Sequence, residues 1–284
     1  MGDKSVDLFS LEGKVAVVTG GGGELCGTIS EALAARGVKV AVLDINPEAA
    51  EARVAAIQKA GGEARAAACS VLDESQLTDV YEVLTAQWGP PDILINGAGG
   101  NNPRGSTSVS FLEAEHLGNS GAGTFLDLEL DGFRGTFDLN FLGTFLPTKV
   151  FTRGMIERGS GSILNMASMS ALTPLTKVGA YSAAKAAVAN FTKWLAVHLS
   201  HTGVRVNALA PGFFMTEQLR FLHVDQTTGE LTPRAKQVLA RTPLGRYGDP
   251  KDLIGAVIWL LSDAAAFVTG VVLPIDGGFS AYSI

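Results

Sequence analysis

Tyrosine and lysine in the spacing Tyr-x-x-x-Lys occur twice in this chain, as Tyr181-Ser-Ala-Ala-Lys185 and as Tyr247-Gly-Asp-Pro-Lys251. On a helix this spacing stacks phenol and ammonium one turn apart on a single face. Such a pair is suited to moving a proton. An alcohol surrenders hydride to a nicotinamide only if its hydroxyl proton also leaves, so a general base is required. A free tyrosine, with a pKa near 10, is mostly protonated at neutral pH. Lowering it by about three units takes roughly 4 kcal/mol of preferential stabilisation of the phenolate. A neighbouring ammonium and a cationic ring are suitable sources. Helix breakers separate the two copies: Asp249 and Pro250 form an N-cap and N1 pair, so Tyr247 precedes its helix and does not share a face with Lys251. Tyr181 and Lys185 lie in an unbroken helical run and form the predicted working pair.

A second group of residues suits a dinucleotide. The segment Thr19-Gly-Gly-Gly-Gly-Glu-Leu-Cys-Gly27 follows an apolar β-type run. Glycines in such a turn let the backbone approach a pyrophosphate seated on the N–H groups of a helix start. The G-x-G-x-x-G fingerprint is met in no frame, so the turn alone is a weak signal. Asp44 adds to it, because a carboxylate about twenty residues on, at the end of the second strand, receives ribose hydroxyls and repels a 2′-phosphate. The turn and the residues directly after Asp44 contain no Arg or Lys, and Asn46 already supplies the next helix cap. NAD is therefore expected over NADP.

These residues need a scaffold that gathers strand ends. Short apolar runs alternate with longer amphipathic stretches, the pattern of βαβ units on a parallel sheet. Strands are expected at Lys14–Thr19, Val38–Leu43, Ala64–Ala68, Asp92–Ile95, Ser162–Asn165, Val204–Ala208 and Val271–Pro274. Helices are expected at Leu25–Arg36, from Asn46 to Ala60, Asp73–Trp88, Phe133–Arg158, Gly179–His201, and from Asp249 onward. The implied fold is α/β: a single Rossmann-type, doubly wound parallel sheet of about seven strands with helices on both faces. Residues 1–284 are expected to form one catalytic domain. Gly99–Asp131, rich in Gly, Asn and Ser, is too long for an ordinary connection and suggests an inserted functional loop on the substrate side.

Composition narrows the possible partners. With 46% hydrophobic and 18% charged residues over 284 positions, the chain can bury a large core. A net charge of -6 argues against nucleic acid. The apolar runs fall far short of the roughly 20 residues of a membrane span. Met1–Leu11 has no apolar stretch behind a basic start, so no secretory signal is expected. Cys26 and Cys69 are too few for a disulfide framework and suggest reduced thiols in the cytoplasm. The four histidines are scattered, and no metal site is expected.

Across essentially its whole length the chain resembles the short-chain dehydrogenase/reductase family. Thr19-Gly20 and the glycine turn resemble the family's TGxxxGxG segment, although Glu24 and Cys26 stand where glycines are usual, with Gly23 and Gly27 displaced by one. Ile95-Asn96-Gly97-Ala98-Gly99 resembles NNAG, with Gly97 replacing the second asparagine. Asn140 in Phe-Asp-Leu-Asn matches the active-site asparagine, and Pro211-Gly212 followed by Thr216 resembles the PG motif over the nicotinamide. Ser168 precedes Tyr181 by the family's usual thirteen residues, and no serine stands so before Tyr247.

The resemblance implies roles for these residues. Ser168 would hold the substrate oxygen, and Tyr181 would be the general acid/base. Lys185 would lower the tyrosine's pKa and hold the nicotinamide ribose, while Asn140 would hold a water in a relay to Lys185. The implied NAD site comprises Gly20, Gly23, Leu25, Asp44, Ile45, Ser70, Val71, Asn96, Ala98, Gly99, Tyr181, Lys185, Pro211, Gly212, Phe214 and Thr216. Thr216 and the backbone near Phe214 would orient the carboxamide. Ser70 replaces the usual adenine-facing Asp, leaving that bond to its hydroxyl or to the Val71 backbone. A homotetramer is also implied, with Asp276–Ile284 bordering a neighbour's site.

Ile95–Asn101, Phe137–Pro147, Thr173–Lys177 and Gly277–Ser283 resemble more specifically the D-mannonate oxidoreductase (fructuronate reductase) branch. That implies a sugar-acid substrate, needing several hydroxyl partners and one cationic carboxylate site. Asn101 and Asn102 are candidates for the hydroxyls, and Lys177 or Arg104 for the carboxylate. Both cations could equally be solvated surface charges, and His116 suggests an ordinary loop residue. Another sugar-acid or polyol dehydrogenase, such as a gluconate 5-dehydrogenase, is the alternative. A catalytically silent NAD-binding regulator is a third reading, disfavoured by the complete Asn140, Ser168, Tyr181 and Lys185 set.

Overall fold

The computed structural model describes residues 7–119 and 121–283. Seven apolar runs become strands: β1 Val15–Thr19, β2 Lys39–Asp44, β3 Ala64–Ala68, β4 Ile93–Asn96, β5 Gly161–Met166, β6 Val204–Pro211 and β7 Val272–Ile275. All pair in parallel, in the order β3-β2-β1-β4-β5-β6-β7. The alternation of side chains along a strand feeds two cores. Ala16 and Val18 pack with Ile29, Leu33 and Val257 on one face, whereas Val17 packs with Leu77, Phe151 and Leu195 on the other. A sheet buried on both faces gives the continuous apolar strands expected of a doubly wound fold.

The helices on these faces are α1 Glu24–Ala34, α2 Pro47–Lys59, α3 Glu74–Trp88, α4 Leu130–Phe137, α5 Gly143–Arg158, α6 Gly179–His198, α7 Glu217–His223, α8 Pro233–Ala240 and α9 Ile254–Leu261. The expected caps are in place: Asn46 accepts from the Glu48 and Ala49 amides, and Asp73 from those of Ser75 and Gln76. No helix of the described residues is long and apolar enough to cross a membrane.

Several expectations need correction. The single helix expected over Phe133–Arg158 is divided into α4 and α5 by a widened π turn at Asp138–Leu142. Pro147 follows inside α5 and has no N–H to return to the preceding turn, so the hydrogen-bond ladder changes register just upstream. The helix expected from Asp249 begins as a 3-10 turn, Pro250–Leu253, before α9. Between β6 and that turn lie α7 and α8, which periodicity did not suggest.

The insertion is also more ordered than its composition implied. It contains short 3-10 turns at Pro103–Gly105, Ala114–His116 and Phe125–Asp127, capped by Asn102, by Glu113 with His116, and by Thr124 with Asp127. Thr107 N–H donates to the Lys177 carbonyl at 2.8 Å, tying the insertion to the loop before α6. Residues 1–6, which bear on the secretory-signal expectation, lie outside the described residues, as do Ser120 and Ile284.

Candidate active site

β1 and β4 are neighbours whose onward connections run to opposite sides of the sheet, so a crevice opens at their carboxyl ends. It is a cleft of about 700 Å³. Thr19 sits at its floor, with Oγ accepting the Gly97 and Ala98 amides at 3.0 and 3.2 Å, which joins the tips of β1 and β4. Gly20 has a φ of +65°, and a Cβ there would lie 2.9 Å from the Ala98 backbone, so a side chain is excluded on both counts.

The first helical bond of α1 runs from Gly27 N–H to the Gly23 carbonyl at 2.8 Å. The amides of Glu24, Leu25 and Cys26 therefore have no acceptor within the helix, and they are available to a pyrophosphate. Asp44 closes the adenosine end. Its Oδ2 accepts Gly22 N–H at 3.1 Å and its Oδ1 accepts Asn46 N–H at 3.0 Å, which fixes the carboxylate at the tip of β2. Each oxygen keeps a lone pair for a ribose hydroxyl. Ser70 Oγ already accepts Leu72 N–H at 3.2 Å, within a turn that also brings Val71 to the cleft. The residues present fit a dinucleotide.

Two departures from the resembled pattern, Cys26 in this turn and Gly97 after β4, are spatially joined. A Cβ at Gly97 would overlap Cys26 Sγ, so the small residue at 97 leaves room for the thiol at 26. Cys26 is buried and unpaired, and burial pushes its thiol up to about 12 while Lys185 opposes the shift. It is an inert packing group. Cys69 is likewise buried and free, and burial raises its thiol to about 11.

Opposite the turn, three groups converge. Ser168 follows β5 and caps the 3-10 turn Met169–Ala171 by accepting Ser170 N–H at 3.2 Å. Tyr181 projects from the first turn of α6 and is partly open to the cleft. Lys185, one turn later, is buried, donates to the Met166 carbonyl at 2.7 Å and lies 5.6 Å from the centre of the Tyr181 ring. Burial lowers the Lys185 ammonium to about 8. Burial also dominates at Tyr181 and raises its phenol above the usual value, while hydrogen bonding to Ser168 lowers it. The lowering expected from Lys185 is thus not what the protein alone provides. A cationic nicotinamide bound beside the phenol would act in the needed sense.

Asn140 lies fully buried in the π turn. Its Nδ2 donates to the Gly100 and Thr136 carbonyls at 2.7 and 2.8 Å, and its Oδ1 accepts Gly100 N–H at 3.2 Å. A Cβ at Gly99 would fall 2.6 Å from Asn140 Oδ1 and 3.2 Å from Lys185 Nζ. The missing side chain at Gly99 therefore leaves open the space between the two groups that a proton relay would join.

The second Tyr-x-x-x-Lys copy does not form a pair. Tyr247 precedes the Pro250–Leu253 turn, and its hydroxyl meets His223 Nδ1 at 2.7 Å. Lys251 is exposed.

Most of the expected cofactor residues line the cleft: Gly20, Gly23, Leu25, Asp44, Ile45, Ser70, Val71, Ala98, Gly99, Tyr181, Lys185, Pro211, Gly212 and Thr216. Asn96 and Phe214 do not. The Asn96 amide turns into the core and donates to Thr148 Oγ and Asn165 Oδ1, both at 2.8 Å, so it cross-braces β4, β5 and α5. Phe214 is buried against Gly248 beside a smaller cavity.

The expected substrate residues are dispersed. Asn101 donates to Ser106 Oγ, and Asn102 caps the first turn of the insertion. Lys177 is exposed, with a φ of 76° that is uncommon outside glycine. Arg104 is held by Glu129 at 2.5 Å, and His116 Nδ1 accepts the Glu113 amide. Among the described residues no cluster of three or more His, Cys, Asp or Glu could hold a metal ion. Sequence reasoning did not assign Glu24, Cys26, Gly97, Gly100, Met166 or Glu217 to the cleft. Met166 was accessible through the rule that ligands gather at carboxyl ends of parallel strands, and Glu24 and Cys26 stood out as departures in the turn.

A family model described as enoyl-(acyl carrier protein) reductase matches residues 25–280. An uncharacterized oxidoreductase, UxuB, of Bacillus subtilis (strain 168) is 46% identical over 275 residues, 96% of this chain and 97% of the relative. Among solved structures, a Haemophilus influenzae protein with bound NAD, whose D-mannonate oxidoreductase designation is provisional, is 45% identical. It superposes with a TM-score of 0.91 over 96% of this chain and 97% of that one. A short-chain type dehydrogenase/reductase from Mycobacterium marinum is 30% identical, with a TM-score of 0.79 over 98% and 99% of the two chains.

Proposed function

The chain belongs to the short-chain dehydrogenase/reductase family and uses NAD, and on that premise we propose that it interconverts a sugar-acid alcohol and its ketone, with D-mannonate and D-fructuronate as the pair. The observation that carries the reaction class is the convergence of Ser168, Tyr181 and Lys185 at the carboxyl edge of the sheet, with the ammonium fixed on the Met166 carbonyl. The choice of sugar acid is supported by the kinship with the provisionally designated Haemophilus protein and by the residues shared with that branch. The whole chain would act as one catalytic domain, with residues 99–131 on its substrate side.

Bound NAD supplies the hydride acceptor, and NADH the donor. In oxidation, Tyr181 takes the proton of the substrate hydroxyl; in reduction it returns one to the carbonyl oxygen. Ser168 donates to the same oxygen and stabilises charge that develops there. Lys185 would hold the nicotinamide ribose and, as an ammonium, stabilises the phenolate. Asn140 fixes Gly100, and the remaining lone pair of its Oδ1 holds a water in the relay to Lys185. With Arg104 tied to Glu129, Lys177 is the better partner for the substrate carboxylate.

A homotetramer working in the cytoplasm completes the proposal. The exposed Trp194 and Val197 on α6 and Phe145 on α5 support subunit contacts there. Purified protein should oxidise NADH on addition of D-fructuronate, followed at 340 nm. Failure with this substrate but turnover of another ketouronate or polyol would move the substrate assignment; silence across an aldonate and ketouronate panel would sink the enzyme reading.

A further inference from the structure

We infer that Glu24 is a positioning residue that reaches from the glycine turn across the cofactor cleft and holds the segment carrying Thr216. Glu24 opens α1 at a position where the turn is built to receive an anion. A carboxylate there repels a pyrophosphate, so its presence needs another explanation. Its Oε2 accepts the backbone N–H of Glu217 at 2.8 Å, a contact between residues far apart in sequence. Glu24, Thr216 and Glu217 all line the same cleft. The carboxylate is therefore committed to the opposite wall.

The held segment's other bonds stay on its own side of the cleft, where Gly248 N–H donates to the Phe213 carbonyl and Arg220 N–H to that of Thr216. Thr216 N–H donates to the Phe214 carbonyl, Met215 N–H to the Gly248 carbonyl, and Thr216 Oγ accepts Leu219 N–H. None of these bonds reaches the glycine turn. The Glu24–Glu217 bond is what joins the two walls there, and cofactor entering or leaving between them must work against it. This reasoning uses the NAD site alone and does not depend on the identity of the substrate.

Two opposed effects of Glu24 can be separated. Its charge weakens the hold on a pyrophosphate, whereas its hydrogen bond keeps the far wall in place. Glu24→Gln removes the charge and keeps an acceptor; Glu24→Ala removes both. Glu217→Pro deletes the donor alone. Position 217 is the first residue of α7, where proline is tolerated, and Thr216 already has the extended conformation that a following proline requires (φ -97°, ψ 164°).

The test is the dissociation rate of NADH, followed by stopped-flow fluorescence, alongside kcat, KM for NAD and the melting temperature. Loss of one solvent-exposed hydrogen bond predicts about a fivefold faster release for Glu24→Ala. Glu217→Pro, which keeps the repelling charge, should release at least as fast, and the double variant should match Glu24→Ala. Glu24→Gln should stay within about twofold of the parent or release more slowly. Glu217→Ala, which keeps the N–H, should also stay near the parent rate. Melting temperatures close to the parent's would show that the effect is not general loosening. Unchanged release in both Glu24→Ala and Glu217→Pro overturns the inference. So does a Glu24→Gln variant as fast as Glu24→Ala, because keeping an acceptor at position 24 would then make no difference.

Discussion

The two Tyr-x-x-x-Lys segments share a spacing and differ in everything around it. At Tyr181 and Lys185 the helix is continuous, the ammonium is buried and fixed on the Met166 carbonyl, and Ser168 lies beside the phenol. At Tyr247 and Lys251 the chain breaks between the two residues, the hydroxyl is taken by His223, and the lysine is exposed. Spacing offers a pair, but only the surrounding strands and helices make it a site. The second copy is a structural fastening, in which Tyr247 and His223 join α7 to the approach to α9.

The largest expected effect separates the two tyrosines. Tyr181→Phe should lower kcat about a thousandfold while leaving NADH affinity near the parent value, whereas Tyr247→Phe should leave kcat within about twofold. Equal losses would break the contrast. The cost of Tyr247→Phe should instead appear in stability, at about 1 kcal/mol by denaturant titration, because Nδ1 of the buried His223 loses its partner.

Lys177, four residues before Tyr181, is the proposed partner of the substrate carboxylate. Lys177→Ala should raise KM for the sugar acid about tenfold, and Arg104→Ala should leave it nearly unchanged. The reverse pattern would return the carboxylate site to the insertion. The smallest effect concerns pH. The folded state lowers the Lys185 pKa from 10.5 to about 8, so between those values the unfolded chain binds more protons than the native one. That group's contribution to stability therefore rises with pH across the window and is lost as pH falls through about 8. Lys185→Met should flatten the slope of stability against pH there, and Lys251→Met should not.

Much of this arrangement was legible before the fold was known. The strands and helices of the cofactor end followed from alternation of apolar runs, and Asp44 was placed because it ends a strand just beyond a glycine turn. What failed did so for physical reasons. Asn96 belongs to a sequence motif that borders the cleft, but side chains alternate along a strand, and its own points into the core. The π turn at Asp138–Leu142 could not be read from periodicity, since one extra residue in a turn leaves the apolar pattern nearly intact. Helices α7 and α8 are short and polar, so their placement depends on tertiary contacts rather than local propensity. Asn101, Asn102 and Arg104 carried the right chemistry for a sugar acid, yet their hydrogen bonds are largely used within the insertion.

The contact between Cys26 and Gly97 bears on how this chain could have diverged. The thiol fills the space that a side chain at 97 would need, so the two unusual residues form one exchange rather than two. Asparagine at 97 with cysteine still at 26 would be a collision, while glycine at 26 with glycine at 97 would leave only a small void. A path between the usual pattern and this one is therefore ordered: toward the usual pattern, position 26 shrinks before position 97 grows, and away from it the steps run in reverse. Lineages caught midway should carry glycine at both positions and never bulk at both.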